Sequence, residues 1–295
     1  MCSINKLSRY RISSILARYK LLGVAGFLYS RYLGHKVSNL RRIQQNEIKS
    51  EGRYAQVPLF NCRFILDRTE FHDFLMLKIL ESGDYYEPEV TTFIVNHLRI
   101  GDIFLDIGSN NGYYSIIASQ LVGPDGKVIS IEPNKSTYIR LMENIKVNGI
   151  KNVNSFNIAL SDHDGRAKLF LNNDSENGLA SLINDHEKEP IDEVPVNTFD
   201  GLFLNQSINL IKMDVEGSEI NIIKGMGDYL KKYNSVKIIM EWNPDYMGKE
   251  DYHYLDTTFR ISLLFYSAGK DNEIVVEKYE QLGHFFGNVL LESKM

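Results

Sequence analysis

Ile103–Gly112, IFLDIGSNNG, is the stretch on which the fold turns. A short, mostly apolar strand-like run enters a turn with glycines at 108 and 112, and a helical pattern follows over Tyr113–Val122. Outward from this unit the alternation repeats. Lys127–Glu132 (KVISIE) reads as a second strand, with a helix over Ser136–Val147 behind it. Val153–Leu160 reads as a third strand, Ile208–Asp214 as a fourth followed by a helix over Glu219–Tyr229, and Val236–Glu241 (VKIIME) as a fifth. Ile261–Tyr266 and Asn288–Glu292 add two more strand-like runs. Parallel neighbours need a helical crossover, so the pattern predicts an α/β protein: a mostly parallel seven-stranded, doubly wound sheet with helices on both faces. Residues 161–200, polar and irregular around Asn172, Asn173, Asp174, Asn177 and Gly178, predict a long substrate loop.

Composition narrows the function class. The chain has 295 residues, 43% of them hydrophobic and 24% charged, with a net charge of −5, an ordinary globular mixture. Residues 1–50 hold ten Lys or Arg against one acid, Glu47, whereas the other 245 hold 23 basic and 37 acidic side chains. That balance argues against a surface that wraps nucleic acid, and no motif has base-reading geometry. Only Cys2 and Cys62 are present, which excludes a disulfide scaffold and a thiolate zinc site and fits a reducing, cytoplasmic location. The longest nearly apolar run, Leu21–Tyr29, is too short to span a bilayer. A signal peptide is the rival reading of the N-terminus. Charges continue at Arg18 and Lys20, however, and no small-residue cleavage site follows Tyr29. Residues 9–33 instead predict a basic amphipathic helix. It either packs on the catalytic body or a second subunit, or lies on an anionic membrane surface as a peripheral contact. Tyr54–Leu66 reads as strand-rich, with Pro58 at an edge.

In open α/β sheets the ligand lies beyond the C-terminal strand ends. The first strand delivers Asp106, Gly108, Ser109, Asn110, Asn111 and Gly112 there. A dinucleotide loop reads G-x-G-x-x-G, so that a pyrophosphate can rest on the helix N-terminus. Here Asn110 replaces the middle glycine and Asp106 lies two residues ahead of Gly108. A carboxylate there repels phosphate and suits a cation or an amino group. The loop therefore favours the amino-acid end of S-adenosylmethionine over a nicotinamide dinucleotide. Glu132, ending the second strand, is placed to accept both ribose hydroxyls, though a strand-end glutamate can also be merely solvated. Ala159, Ser161 and Asp162 end the third strand near the expected adenine; Asp162 can accept from the adenine amino group or form a local turn. Strand alternation puts Lys212, Asp214 and Glu216 on one side of the fourth strand if the extended geometry persists. Charges in a central strand are expensive unless paired, so they mark either a site or a structural ion pair.

Taken together these pieces resemble the FkbM-type family of S-adenosylmethionine-dependent methyltransferases. The carriers are Tyr86-Glu87-Pro88-Glu89, Asp106-Ile-Gly-Ser-Asn-Asn-Gly112, Ile131-Glu132-Pro133-Asn134, Asn144 with Asn148, Ala159-Leu160-Ser161-Asp162, Thr198-Phe199-Asp200 and Lys212-Met-Asp214-Val-Glu216-Gly217-Ser-Glu219. They stand in family order over about residues 83–245, with Ser109 and Phe199 as small departures. The resemblance implies a Rossmann-like class I methyltransferase fold over residues 83–295, behind a basic, partly helical extension over 1–82. It also implies S-adenosylmethionine as cofactor, Glu87 among the cofactor residues, and methylation of a hydroxyl, commonly on a sugar of a surface glycan or a secondary metabolite.

Transfer to an alcohol needs alignment and removal of its proton. Asp214 or Glu216 is the expected base, held by Lys212, with Glu241 facing the same crevice ahead of Trp242. No spacing demands a metal, although Asp214, Glu216 and Glu241 offer an all-oxygen cage of the kind Mg²⁺ takes. His253 is a further candidate contact, and Trp242 a candidate sugar-stacking ring unless it is core. The rival readings are a nicotinamide-dependent oxidoreductase or epimerase and a non-catalytic nucleoside-binding scaffold.

Overall fold

The computed structural model describes residues 40–171, 180–183, 189–267, 270–283 and 285–294. The helix expected over 9–33 and the Asn172–Gly178 cluster lie outside the described residues. A helix over 40–51 (α1) replaces the polar stretch after the basic segment, and the hairpin β1 (Tyr54–Leu59) and β2 (Cys62–Asp67) follows, with Pro58 on its exposed face. Next come α2 (Phe71–Glu81), α3 (Pro88–His97), β3 (Ile103–Ile107), α4 (Tyr113–Val122), β4 (Lys127–Ile131) and α5 (Lys135–Val147). Strands β5 (Val153–Phe156), β6 (Ala159–Ser161), β7 (Gly165–Leu171), β8 (Ala180–Ser181) and β9 (Asp192–Thr198) precede α6 (Phe199–Phe203) and β10 (Leu210–Met213). The chain closes with α7 (Glu219–Lys224), α8 (Gly227–Lys232), β11 (Lys237–Trp242), α9 (Lys249–Thr258), β12 (Phe259–Ser267), β13 (Lys270–Val275) and β14 (Gly287–Ser293).

The main sheet runs β13-β12-β14-β11-β10-β3-β4-β5. From β5 to β11 all neighbours are parallel, and β14 is antiparallel between β11 and β12. The seven expected strands are all present, and β13 adds an eighth by folding back on β12. Order reverses between β3 and β10, so the strand ends at Ile107 and Met213 open the switch-point crevice. Strand alternation sorts the core. Leu105, Ile107, Ile211, Met213, Ile238 and Met240 face α7 and α8, whereas Phe104, Val128, Leu210, Ile239 and Leu290 face α3 and α4.

Residues 54–82 share that second core through Val57, Phe64, Leu66 and Leu77. They are also stitched to α5. Asn144 accepts the Ile65 N–H at 2.7 Å and donates to the Ile65 carbonyl at 3.1 Å. One turn on, Asn148 does the same for Arg63, at 2.7 and 2.6 Å. Two asparagines four apart on a helix thus match alternate residues of a strand, pairing its free edge with side-chain amides.

Three local expectations need correction. The third strand does not run unbroken from Val153 to Leu160. It stops at Phe156, and the Asn157 side chain donates to the Glu132 and Pro133 carbonyls, both at 2.8 Å. Ala159–Ser161 then joins a separate sheet of order β6-β9-β7-β8, with a core of Ala159, Leu169, Val194 and Val196. The stretch 161–200, expected as an irregular loop, therefore supplies strands; its polarity reflects a sheet that buries little. The helix expected over Glu219–Tyr229 breaks into α7 and α8, where a Cβ on Gly225 would lie 2.4 Å from the Ser161 carbonyl. The Thr198-Phe199-Asp200 piece is structural. Thr198 caps α6, and the Asp200 carboxylate accepts the N–H groups of Asp228 and Tyr229 at the start of α8, both at 2.8 Å. Among the described residues no helix is long and apolar enough to cross a membrane.

Candidate active site

The glycine loop leaves β3 at Ile107. Gly108 adopts φ +75°, and a Cβ there would sit 1.8 Å from the Asp214 carbonyl oxygen, so only glycine lets the ends of β3 and β10 meet. Its N–H and that of Ser109 both bond the Ile131 carbonyl at 2.9 Å, and Ser109 Oγ reaches the same oxygen at 3.2 Å. Asn110 is left-handed at φ 48°, and Gly112, at φ 92°, starts α4. Glu132, just past β4, accepts the Asn110 N–H at 2.9 Å on one carboxylate oxygen and the Asn134 N–H at 2.8 Å on the other. Each oxygen keeps a free lone pair for a further donor. Burial lifts this carboxyl to about 7 against the pull of those two amides.

Lys212 and Asp106 stand side by side in register on the face of the sheet under α4. They are 3% and 0% exposed. The Lys212 ammonium bonds Asp214 at 2.9 Å and lies 5.0 Å from the centre of the Tyr114 ring. Burial opposes its charge, but Asp214, Asp106 and Glu87 outweigh that and raise its pKa above the ordinary lysine value. Asp106 Oδ2 accepts from Ser115 Oγ at 2.6 Å, while Oδ1 is buried with no hydrogen-bond partner. Burial raises this carboxyl, with Lys212 pulling the other way. Glu87, in left-handed backbone at φ 41°, accepts from the Tyr114 hydroxyl at 2.5 Å. Burial and then repulsion from Asp214 lift it to about 7.

Strand β10 ends at Met213, so the extended geometry does not reach Glu216. Glu216 is left-handed at φ 57° and leaves the line set by Lys212 and Asp214. Glu219 takes its place. Buried at the start of α7, it accepts the Val215 N–H at 2.9 Å and the Gly217 N–H at 3.0 Å, and burial lifts it to about 7. Asp214, Glu219 and Glu241 bring carboxylate oxygens within 4.8 Å of one another. The trio that could hold a hard cation is therefore this one, rather than Asp214, Glu216 and Glu241. Glu241, on β11, is driven well above the usual glutamate range by burial and then by Asp214, Glu216, Glu219 and Glu87.

Other expected residues fall elsewhere. Ala159 and Ser161 are buried in β6, and Asp162 is exposed, its carboxylate 2.8 Å from His163 Nδ1 and lowered by that contact. Trp242 is fully buried with its indole N–H on the Leu282 carbonyl at 3.1 Å, so it is core and stacks on no sugar. His253 is exposed on α9. A cavity of about 560 Å³ opens between the first turns of α5, at Asn134, Ser136 and Arg140, and Leu169, Leu171 and Ile191. It begins two residues beyond Glu132 and shares no lining residue with the acid trio. Sequence reading missed Tyr114 and the part played by Glu219. Only the second left a trace, an acid opening the helix after Gly217.

The loop fits S-adenosylmethionine. Asp106 Oδ1 and Asn111 Oδ1 are buried acceptors without partners. The surrounding acids, Glu87, Asp106, Asp214, Glu219 and Glu241, outnumber the one lysine among them, an environment that suits a cation. Sheet order, switch-point loop and the acid after β4 together define a class I S-adenosylmethionine-dependent methyltransferase. The family model "Methyltransferase FkbM domain" matches residues 106–268, more than half of the sequence, and the chain belongs to that family. It is 25% identical over 195 residues to the hexuronic acid methyltransferase AglP of Haloferax volcanii, covering 64% of this chain and 76% of that one. A solved S-adenosylmethionine-dependent O-methyltransferase from Thermotoga maritima is 13% identical, with a TM-score of 0.43, and covers 82% of this chain and 86% of that one. A putative methyltransferase from Streptococcus mutans, solved in complex with SAH, is 11% identical with a TM-score of 0.40, over 69% and 95% of the two chains.

Proposed function

We propose that the chain transfers the methyl group of S-adenosylmethionine to a hydroxyl oxygen of a sugar, in a glycan or a secondary metabolite. The observation that carries this reading is the crowding of Glu241. A hydroxyl gives up its proton only to a competent base, and a carboxyl raised by burial and four neighbouring acids holds a proton more firmly than an ordinary glutamate. When bound, S-adenosylmethionine supplies a methyl carbon made electrophilic by its sulfonium sulfur. Glu241 then takes the acceptor proton. Lys212 holds Asp214 in place, and the Asp214 charge lowers the proton affinity of neither neighbour but adds to the field that favours a cation in the crevice. Glu216 adds its charge to those that act on Glu241. Asp106, Glu87 and the loop from Gly108 through Ser109, Asn110 and Asn111 to Gly112 hold the amino-acid end. Glu132 holds the ribose.

The sugar acceptor is supported by the hexuronic acid methyltransferase among the relatives. The same reading keeps residues 83–295 as the methyltransferase domain of a cytoplasmic enzyme, with residues 9–33 either packed on the catalytic body or a second subunit or in peripheral contact with a membrane. The test is transfer of labelled methyl from the cofactor to hexuronic-acid and neutral oligosaccharides by wild type and Glu241→Gln. Label on a sugar from wild type, and loss of turnover in the variant with binding of S-adenosylhomocysteine intact, supports the reading. A variant as active as wild type contradicts it.

A further inference from the structure

The segment ahead of the sheet reaches into the cofactor loop. Asp73 on α2 is 2% exposed, and Asn111 in the loop is 1% exposed. Asn111 Nδ2 donates to Asp73 Oδ1 at 2.8 Å, while Asp73 Oδ2 accepts the backbone N–H of Asp67 at 2.9 Å. One oxygen of this carboxylate is therefore fixed at the end of β2, and the other fixes the loop. Asn144 adds a second hold, donating to the Asn111 carbonyl at 3.0 Å while it pairs with Ile65. Between these holds and Glu132 sits Asn110, in a left-handed backbone at φ 48° that persists only where its surroundings over-determine it.

We propose that Asp73 is a positioning residue for the cofactor loop, acting through Asn111, so that residues 54–82 take part in binding S-adenosylmethionine. Without this bond the Asn111 side chain is free to leave its place and the loop spends less time in the binding geometry. Apparent affinity then falls by that fraction. The geometry allows an exchange test. Asp73→Asn leaves one amide N–H facing a donor in either orientation of the side chain, at Asn111 or at the Asp67 N–H. Asn111→Asp sets two carboxylates at hydrogen-bond distance. The double exchange restores an amide donor to a carboxylate acceptor and leaves an amide oxygen for the Asp67 N–H.

The experiment titrates S-adenosylhomocysteine calorimetrically into wild type, both single variants and the double exchange, each well below its unfolding midpoint. Each single variant is expected to bind about tenfold or more weakly, as for loss of a buried charge-assisted bond, and the exchange to bind at least about threefold more tightly than either single. Single variants that bind like wild type overturn the proposal. So does a double exchange that folds but binds no better than the singles. Should one single variant not fold, the exchange is compared with the other: tighter binding by the exchange supports the proposal, and equal or weaker binding overturns it.

Discussion

Gly108→Ala tests the contact on which the crevice is built. The added Cβ would lie 1.8 Å from the Asp214 carbonyl oxygen and 3.3 Å from Val215 Cγ1. Ordinary contact requires a shift of more than about 1 Å, and neither side has slack. Ile107 and Met213 are in parallel register, and the Asp214 N–H bonds the Ile107 carbonyl at 3.0 Å. The left-handed backbone at φ +75° adds about 1–2 kcal/mol for alanine. Overpacking against backbone adds about 1–3 kcal/mol, for a total of about 2–5 kcal/mol. At about 2–4 °C per kcal/mol for a domain of this size, the unfolding midpoint should fall by roughly 10 °C. Binding of S-adenosylhomocysteine should weaken as well, because Asp214 carries the Lys212 pair. Calorimetric melting of both proteins, with and without the ligand, measures each part. A variant melting within about 1 °C of wild type would refute the steric argument.

Glu241→Gln should lower turnover by about 100-fold or more while leaving S-adenosylhomocysteine affinity largely unchanged, read by initial rates and calorimetry. The wild-type rate should rise with pH as Glu241 loses its proton, and that limb should vanish from the variant's pH–rate profile. Glu87, Glu132 and Glu219 each titrate at about 7 in the folded chain against an ordinary 4.5, so the folded state binds more protons across that interval. The stability they contribute is present in full below about 4.5 and is lost as pH rises through about 7, so the ligand-free protein should melt higher at pH 5 than at pH 8. Lys212→Met removes the one ammonium between Asp106, Asp214 and Glu87, and should destabilise by about 3–5 kcal/mol in denaturant titration at pH 8. Asn144→Ala strips the partners from both backbone groups of Ile65 and should expose residues 54–67 to limited proteolysis before the sheet is cut.

The parallel sheet was legible because its strands are short apolar runs divided by helical spacing, and the loop because glycines 108 and 112 follow such a run directly. The break at Asn157 was not. VNSFNIAL holds no Gly or Pro, and the strand ends where Asn157 bonds the Glu132 and Pro133 carbonyls. The small sheet was hidden for a related reason. GRAKLFL and DEVPVNT each bury only two residues fully, Leu169 with Phe170 and Val194 with Val196, so they read as polar chain. At Glu216 the two-residue alternation fails once the backbone turns left-handed, and Glu219 enters the acid trio by tertiary placement. The reach of Asp73 to Asn111, 38 positions away, leaves no local pattern at all.

Where the methyl group lands tests the central claim most directly. A hexuronic acid offers both hydroxyls and a carboxylate; methyl on a hydroxyl is an ether that survives mild alkali, and methyl on the carboxylate is an ester that does not. Wild-type enzyme, labelled S-adenosylmethionine and a hexuronic-acid oligosaccharide, followed by mild alkaline treatment, separate the two. The account predicts label that stays on the sugar after alkali and that Glu241→Gln fails to deliver. Label released as methanol would contradict hydroxyl transfer and remove the need for a base at Glu241.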